Sequence, residues 1–452
     1  MISVARAENA VLWDTIYGLP NPWPTCPRLP PAASAVLAAL HLRDPLIEGV
    51  RSLDDRRWRN ALAFSDSSRL TLYLRNTVRE FMPQWVRERT DENAARNAER
   101  LRNLEQIYST VSKRLAAAHI EFVVLKGISH GSLFGGRPES RMQYDIDLFC
   151  SHDSIKASRD VLLALGYEPV EGMERFPTDH LPAMVPRTAW EWRGDYFDPE
   201  IPTPVELHFQ FWNERTERLE APGTHEFWNR RTRRPMAGLE LGVLCPTDGL
   251  AYAALHVLKH LLRGSVHPSH VYEIASIVDA YAGDDAFWSR WASLHAPKLR
   301  RLEAVVFRLA WEWFGCRLSP VVAAEIEQLP ATTQVWFAAF ATSPARSAFD
   351  SNKDELWLHF ALLDSRRDAW SIARRRLLPA SLPLRARNNY FPETKRTWSQ
   401  RLRQSAEYAS YLLSRIAHHL LALPRTAASG ARWWWRIRGA LPPQRAEGRG
   451  EE

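Results

Sequence analysis

The sequence predicts an α+β fold, a small mixed sheet with its own helices, flanked by N-terminal and C-terminal helical regions. Three observations predict it. Residues 31–118 place apolar residues at three- and four-residue spacing with charges between them, the period of amphipathic helices. Between residues 119 and 245, short β-branched and aromatic runs alternate with a short helix and one longer helical stretch. After residue 245 the helical period returns. The expected divisions are an N-terminal helical region over 1–118, an α/β core over 119–245, a helical domain over 246–365 and a basic C-terminal arm over 366–452. A chain of 452 residues suits two or three domains, and 45 % hydrophobic with 25 % charged residues is enough to build a core.

The elements follow in order. "DRRWRNALAFSDSSRLTLYLRNTV" and "ARNAERLRNLEQIYSTVSKRLAAAHI" read as helices, the second long and running directly into "EFVVLKG". "IEFVVLK" reads as a buried strand closed by Gly127, followed by a short helix and a Gly/Pro turn at 135–138. "MQYDIDLFC" is a second strand. "SHDSIKASRDVLLALGYE" is a helix expected to be capped by Ser151 or Asp153 and to end at Gly166. "TAWEWRGDYF" and "TPVELHFQFW" read as two further strands. "TDGLAYAALHVLKHLL", with a Thr/Asp cap, "VYEIASIVDAYA" and "LRRLEAVVFRLAWEWFG" are helices, and "GSVHPSH" between the first two reads as a loop. Nineteen tryptophans are read as helix-packing and surface-anchoring material, with no single implied ligand.

Cys26, Cys150, Cys245 and Cys316 form no CxxC pair, which argues against a disulfide framework or structural zinc and points to a reducing cytoplasm. "MISVARAENAVLWDTIYG" lacks a basic segment followed by an apolar core, so no signal peptide is expected. No stretch approaches the roughly 20 uninterrupted apolar residues of a membrane span. The net charge of +7 is unevenly spread. From Arg366 onward there are 18 Lys and Arg against 6 acids, so the rest of the chain is net acidic and the basic character belongs to the arm.

The chemistry centres on "QYDIDLF". Asp145 and Asp147, two apart on a strand, project from the same face. Two ionised acids so placed repel unless a cation lies between them. Hard oxygen ligands suit Mg²⁺ or Mn²⁺. Glu206 in "PVELHF" alternates with apolar residues on another predicted strand; if that strand pairs beside the first, three acids converge. Such a patch can hold two metals about 3.5–4 Å apart that activate an attacking oxygen and stabilise a leaving one. "VLKG" ends a strand in glycine and opens a short helix, which offers backbone N–H groups to a phosphate, with Lys126 and Arg141 as added positive charge. A solvated polar strand face is the structural alternative.

The ordered set "HIEFVVLKGISHGSLF", "R…DIDLF", "VELHFQF" and "DGLAYAALHVLKH" resembles the uncharacterised nucleotidyltransferase family of the DNA polymerase β-like superfamily, over roughly residues 50–390. The resemblance implies a polymerase-β-type core and a metal-dependent nucleotidyltransferase that moves an NMP group from an NTP, ATP among them, to an acceptor. It implies Asp145, Asp147 and Glu206 as catalytic metal ligands, Gly127 and Ser129 at the phosphate-loop position with Lys126 beside it, Arg141 shortly before the DxD pair, and Mg²⁺ or Mn²⁺ as cofactor. The chain departs from the wider superfamily in two places. Ile128 separates Gly127 from Ser129, where Gly and Ser are adjacent elsewhere, and the third acid is Glu206, one methylene longer than the usual Asp.

Other features have their own readings. His256 and His260 are at i and i+4, the spacing of two ligands on one helix face, but lack the HExxH glutamate, so packing or contact with the nucleotide is expected; Lys259 could add phosphate charge. His208 is expected to join Glu206 in the cleft only across a bulge. The arm, with Trp433, Trp434 and Trp435 among arginines, could pack on the acidic remainder, lie on an anionic membrane surface or bind nucleic acid. The expected protein is a cytoplasmic nucleotidyltransferase whose partners are an NTP and a small-molecule or macromolecular acceptor. The alternatives are a non-catalytic binding module of the same fold, or a nucleic-acid or membrane-surface binder acting through the arm.

Overall fold

The computed structural model describes residues 29–130, 138–170, 172–173, 178–188, 190, 192–236, 238–378 and 398–440. Its centre is a seven-stranded mixed sheet: β1 (Phe122–Val124), β2 (Ile146–Cys150), β3 (Tyr167–Pro169), β4 (Met184–Pro186), β5 (Val205–His208), β6 (Thr232–Met236) and β7 (Leu239–Val243), in the order β3-β4-β5-β2-β1-β7-β6. β2 runs parallel to β5, and β1 runs antiparallel to β2 and parallel to β7. The α+β expectation holds, with helices on both sides of this sheet.

The N-terminal region contributes α1 (Pro31–Ala39), α2 (Asp55–Ser67), α3 (Thr71–Val78) and the 34-residue α4 (Gln84–Ala117). α4 lies under the sheet. Its Leu104, Tyr108, Val111 and Leu115 pack with Val124, Ile146, Leu148, Val205, Leu207 and Val243, so every second strand residue is consumed by this core. Polar residues of α4 are buried as well. Arg100 donates to the carbonyls of Gln143 and Ile201, at 2.8 and 2.7 Å, and so fixes the chain entering both β2 and β5. Asn97 donates to the carbonyls of Glu139 and Arg141.

After β2 comes α5 (Ile155–Ala164), ended by Gly166 at φ +83° as expected, though without the expected side-chain cap: the Ser151 hydroxyl meets the Ser154 hydroxyl at 2.8 Å. β6 and β7 form an unexpected hairpin. "TRRPM" reads poorly as a strand, but an edge strand tolerates Pro235 and exposed arginines. "TAWEWRGDYF" departs from expectation in the other direction. Among its described residues there is no strand, because Gly194 turns at φ +85° and Asp195 and Asp198 accept from the backbone N–H groups of Phe197 and Glu200.

The other sheet face meets the helical region: α6 (Pro246–Leu262), α7 (Pro268–Ala280), α8 (Asp285–Leu294), α9 (Pro297–Phe314), α10 (Ala331–Phe340), α11 (Glu355–Leu362) and α12 (Arg366–Leu377). α6 starts from Cys245 with Pro246 in its first turn, not from a Thr/Asp cap; the Asp248 side chain bonds Arg230 and His295 instead. Residues 264–267 form the expected loop, while 268–270 already belong to α7. Phe149 of β2 stacks on Phe211 with ring centroids 4.0 Å apart, joining sheet to helices, and Trp58, Trp288, Trp291 and Trp336 are fully buried. The arm forms α13 (Trp398–Ala440), which contains Pro424. No helix among the described residues is long and apolar enough to cross a membrane.

Candidate active site

Parallel pairing of β2 and β5 sets Asp147 opposite Glu206 and Phe149 opposite His208. Ile146, Leu148, Val205 and Leu207 face α4, so the intervening side chains emerge on the helical-region side. The strand is regular, and no bulge is needed to bring His208 beside Glu206: residues two apart share a face, contrary to the expectation for His208. Among the described residues, Asp147, Glu206 and His208 are the group of three or more potential ligands whose atoms all lie within 4.8 Å of one another.

The cluster is dense in charge. Lys126 Nζ and His208 Nε2 each lie 3.0 Å from Asp147 Oδ1. His208 Nε2 is also 3.7 Å from Glu206 Oε2, which has His180 Nε2 at 3.9 Å. Asp147 is 2 % exposed in its side chain and Glu206 24 %, so Glu206 is the more open carboxylate. Burial alone would raise both acids. His180 and His208 outweigh it at Glu206 and hold that carboxyl at about 2, and Lys126 with His208 holds Asp147 below the ordinary range. Burial would lower His208, but its bonds to Asp147 and Glu206 raise it to about 9, so the ring is a cation at neutral pH. Lys126 is likewise raised, burial notwithstanding, by Asp147, Asp145 and Glu206.

Asp145 sits one residue before β2, half-buried, and its charge reaches both Lys126 and Glu206. Gln143 holds it in place by donating to the Asp145 carbonyl at 2.7 Å and to the Tyr108 hydroxyl at 3.1 Å. Gly127 packs against the same glutamine. It has φ +70°, and a Cβ there would fall 2.3 Å from Gln143 Nε2. Gly127→Ala is therefore expected to lower stability by about 1–3 kcal/mol, from left-handed backbone strain plus displacement of Gln143; urea unfolding checks this, and an unchanged midpoint would refute it.

The other residues singled out from sequence each have partners of their own. The turn after Gly127 is a single 3₁₀ turn, Gly127–Ser129, and the buried Ser129 hydroxyl donates back to the Lys126 carbonyl at 3.2 Å. Arg141 Nε pairs with Glu273 Oε1 of α7 at 2.9 Å, tying the DxD approach to the helical region. The Gly/Pro turn expected at 135–138 lies largely outside the described residues. On α6, His256 Nε2 faces Lys126 Nζ at 3.4 Å, and burial with that neighbouring charge keeps its ring neutral; His260 Nδ1 meets the Ser265 hydroxyl at 3.1 Å. Lys259 is bound to both oxygens of Asp179, at 3.1 and 2.8 Å. Asp179 also lies 3.8 Å from His208 Nδ1 and thus backs the histidine from behind. Neither Asp179 nor His180 was found from sequence. The alternation of "TDHL" was their only signal, since their partners are remote in the chain.

A family described as uncharacterised nucleotidyltransferase matches residues 54–315. Among solved structures, the chain is similar to an antigenic nucleotidyltransferase-like protein from Paracoccidioides brasiliensis, at 16 % identity and a TM-score of 0.28, over 48 % of this chain and 94 % of that one. No curated protein matches.

Proposed function

The chain belongs to the family of uncharacterised nucleotidyltransferases, and on that premise we propose that it transfers a nucleoside monophosphate group from an NTP to an acceptor, with pyrophosphate as leaving group. The observation that carries this reading is the register that sets Asp147 against Glu206 in one charged cluster. The donor set fits Mg²⁺ or Mn²⁺: two ionised carboxylates supply hard oxygens within one ion's reach, and a third, Asp145, stands beside them. Asp147 and Glu206 would hold the ion. When bound it would supply charge neutralisation for phosphate oxygens and activation of an attacking oxygen, singly or as a pair.

The protein's own groups do the positioning. Arg100 and Gln143 fix the chain on which Asp145 and Asp147 stand, and the pair Asp179–Lys259 holds the side of His208 away from the acids. Lys126 keeps a buried ammonium against Asp147 that can turn toward a phosphate. Glu206, held at about 2, is a weak base, so its part in this reading is to place negative charge and not to accept a proton.

One observation favours a second reading. Lys126 and His208 already neutralise Asp147 at Oδ1, an arrangement that suits a module that binds nucleotide without turning it over. Incubating the full chain with each of four NTPs labelled at the α-phosphate, with Mg²⁺ or Mn²⁺ and small-molecule or macromolecular acceptors, separates the two. Metal-dependent pyrophosphate release with label transferred to an acceptor or to the chain itself is expected. Nucleotide binding without release selects the second reading, and no nucleotide binding at all sinks both.

A further inference from the structure

We propose that α13 is a membrane-surface anchor, with one face fixed to the protein and another laid on an anionic phospholipid bilayer. The fixed face is well defined. Ala422, Thr426, Ser429 and Trp433 are buried. Trp433 stacks on Trp357 with centroids 5.9 Å apart and donates to the Thr332 carbonyl, and Trp357 donates to the Ser429 hydroxyl at 2.9 Å. One turn or two earlier, Ser351 and Lys353 reach His418 Nδ1 and His419 Nδ1, each at 2.9 Å. These contacts set the rotation of the helix, so the direction of its other faces is determined.

A second apolar stripe faces solvent. Trp398, Leu402, Leu413, Ile416, Leu420 and Trp434 are 49–76 % exposed. At ~100° per residue they fall within an arc of about 60°, with the exposed Leu421 and Trp435 to one side of it. A helix that merely packs on its own protein has no reason to repeat large aliphatic and indole side chains on its solvent side; single exposed residues are ordinary, a set of them aligned on one side is not.

The charge selects the occupant. Residues 398–440 hold seven arginines and one acid, Glu407. Arg403, Arg415, Arg425, Arg432 and Arg438 are exposed. A second copy of the same helix would bring two strongly cationic helices together, whereas a leaflet of anionic lipid complements both the stripe and the net positive charge of the helix. Tryptophans near both ends of the stripe match the depth at which indole rings settle at a lipid–water boundary.

The test is flotation of the full chain with vesicles of phosphatidylcholine alone or mixed with phosphatidylglycerol. The chain is expected to float with the mixed vesicles and to bind those of phosphatidylcholine at least ~10-fold more weakly, the difference shrinking at ~1 M salt. The variant Leu413→Ser/Ile416→Ser/Leu420→Ser, all at exposed positions, should keep its circular dichroism spectrum and lose at least ~10-fold in vesicle binding. Undetectable binding to the mixed vesicles, or a triple variant that binds them as well as the parent, overturns the proposal. So does a dimer in sedimentation equilibrium that the triple variant abolishes, because the stripe would then belong to a second copy.

Discussion

Asp147→Asn is expected to reduce nucleotidyl transfer by about 10³-fold or more. The substitution keeps the volume of a 2 % exposed side chain and removes one anion from the cluster that faces Glu206. Loss of a charged metal ligand removes several kcal/mol of phosphate stabilisation; ~4 kcal/mol is about 10³ in rate. Two buried cations, Lys126 and His208, lose their shared partner at the same time, so a fall in stability is expected alongside. Glu206→Gln separates the two effects. Its carboxylate is more open and reaches Lys126 only as a longer-range charge, so it should fold close to the parent in a thermal melt while losing turnover comparably. Asp145→Ala, half-buried at the strand entrance, should also keep the fold and lose metal-dependent nucleotide binding. Turnover by Glu206→Gln within a few-fold of the parent, at saturating metal, would remove the acid cluster from the reaction.

What could be read in the sequence was the part that depends on local alternation. Asp145 and Asp147 flanking Ile146, and Glu206 between Val205 and Leu207, announce the polar sides of strands whose apolar sides lie on α4. The same rule places His208 with Glu206 without a bulge, because residues two apart on a regular strand share a face. Other features were not legible because they are set by tertiary contact. Arg141 could serve a phosphate or an acid, and only the approach of α7 decides for Glu273. Lys259 finds Asp179, 80 residues away, through a loop with no regular structure to predict. The β6–β7 hairpin is held by its edge position next to β1, which no propensity in "TRRPM" reveals. The phosphate-loop role of Ser129 belongs to the family resemblance, and the added phosphate charge of Arg141 to its place between the VLKG turn and the DxD pair; their side chains here serve the Lys126 carbonyl and Glu273.

The largest stability effect is expected in a second charge network, built around Asp248 in the first turn of α6. Arg230 donates to both oxygens of Asp248, at 2.8 and 3.0 Å. His295 bridges Asp248 Oδ1 and Glu303 Oε2, at 3.1 and 3.0 Å, and the Trp291 indole N–H donates to the other oxygen of Glu303 at 2.7 Å. The side chains of Asp248, His295 and Glu303 have no solvent exposure. Removing one member of such a set strands the others without water, so Asp248→Ala should cost ~3–5 kcal/mol in urea unfolding. The network also makes a pH prediction. Burial would lower His295, but Glu303 and Asp248 outweigh it and raise the ring to about 9 from the ordinary 6.5. Below pH 6.5 the ring is protonated in both folded and unfolded chains and the stabilisation is complete. As pH rises through about 9 the folded ring loses its proton and the contribution, ~3 kcal/mol for a shift of that size, disappears. Stability measured between pH 6.5 and 9.5 should therefore fall, and His295→Gln, less stable throughout, should show a flatter profile over that range. A variant whose stability declines as steeply as the parent's would place the titration in some other group.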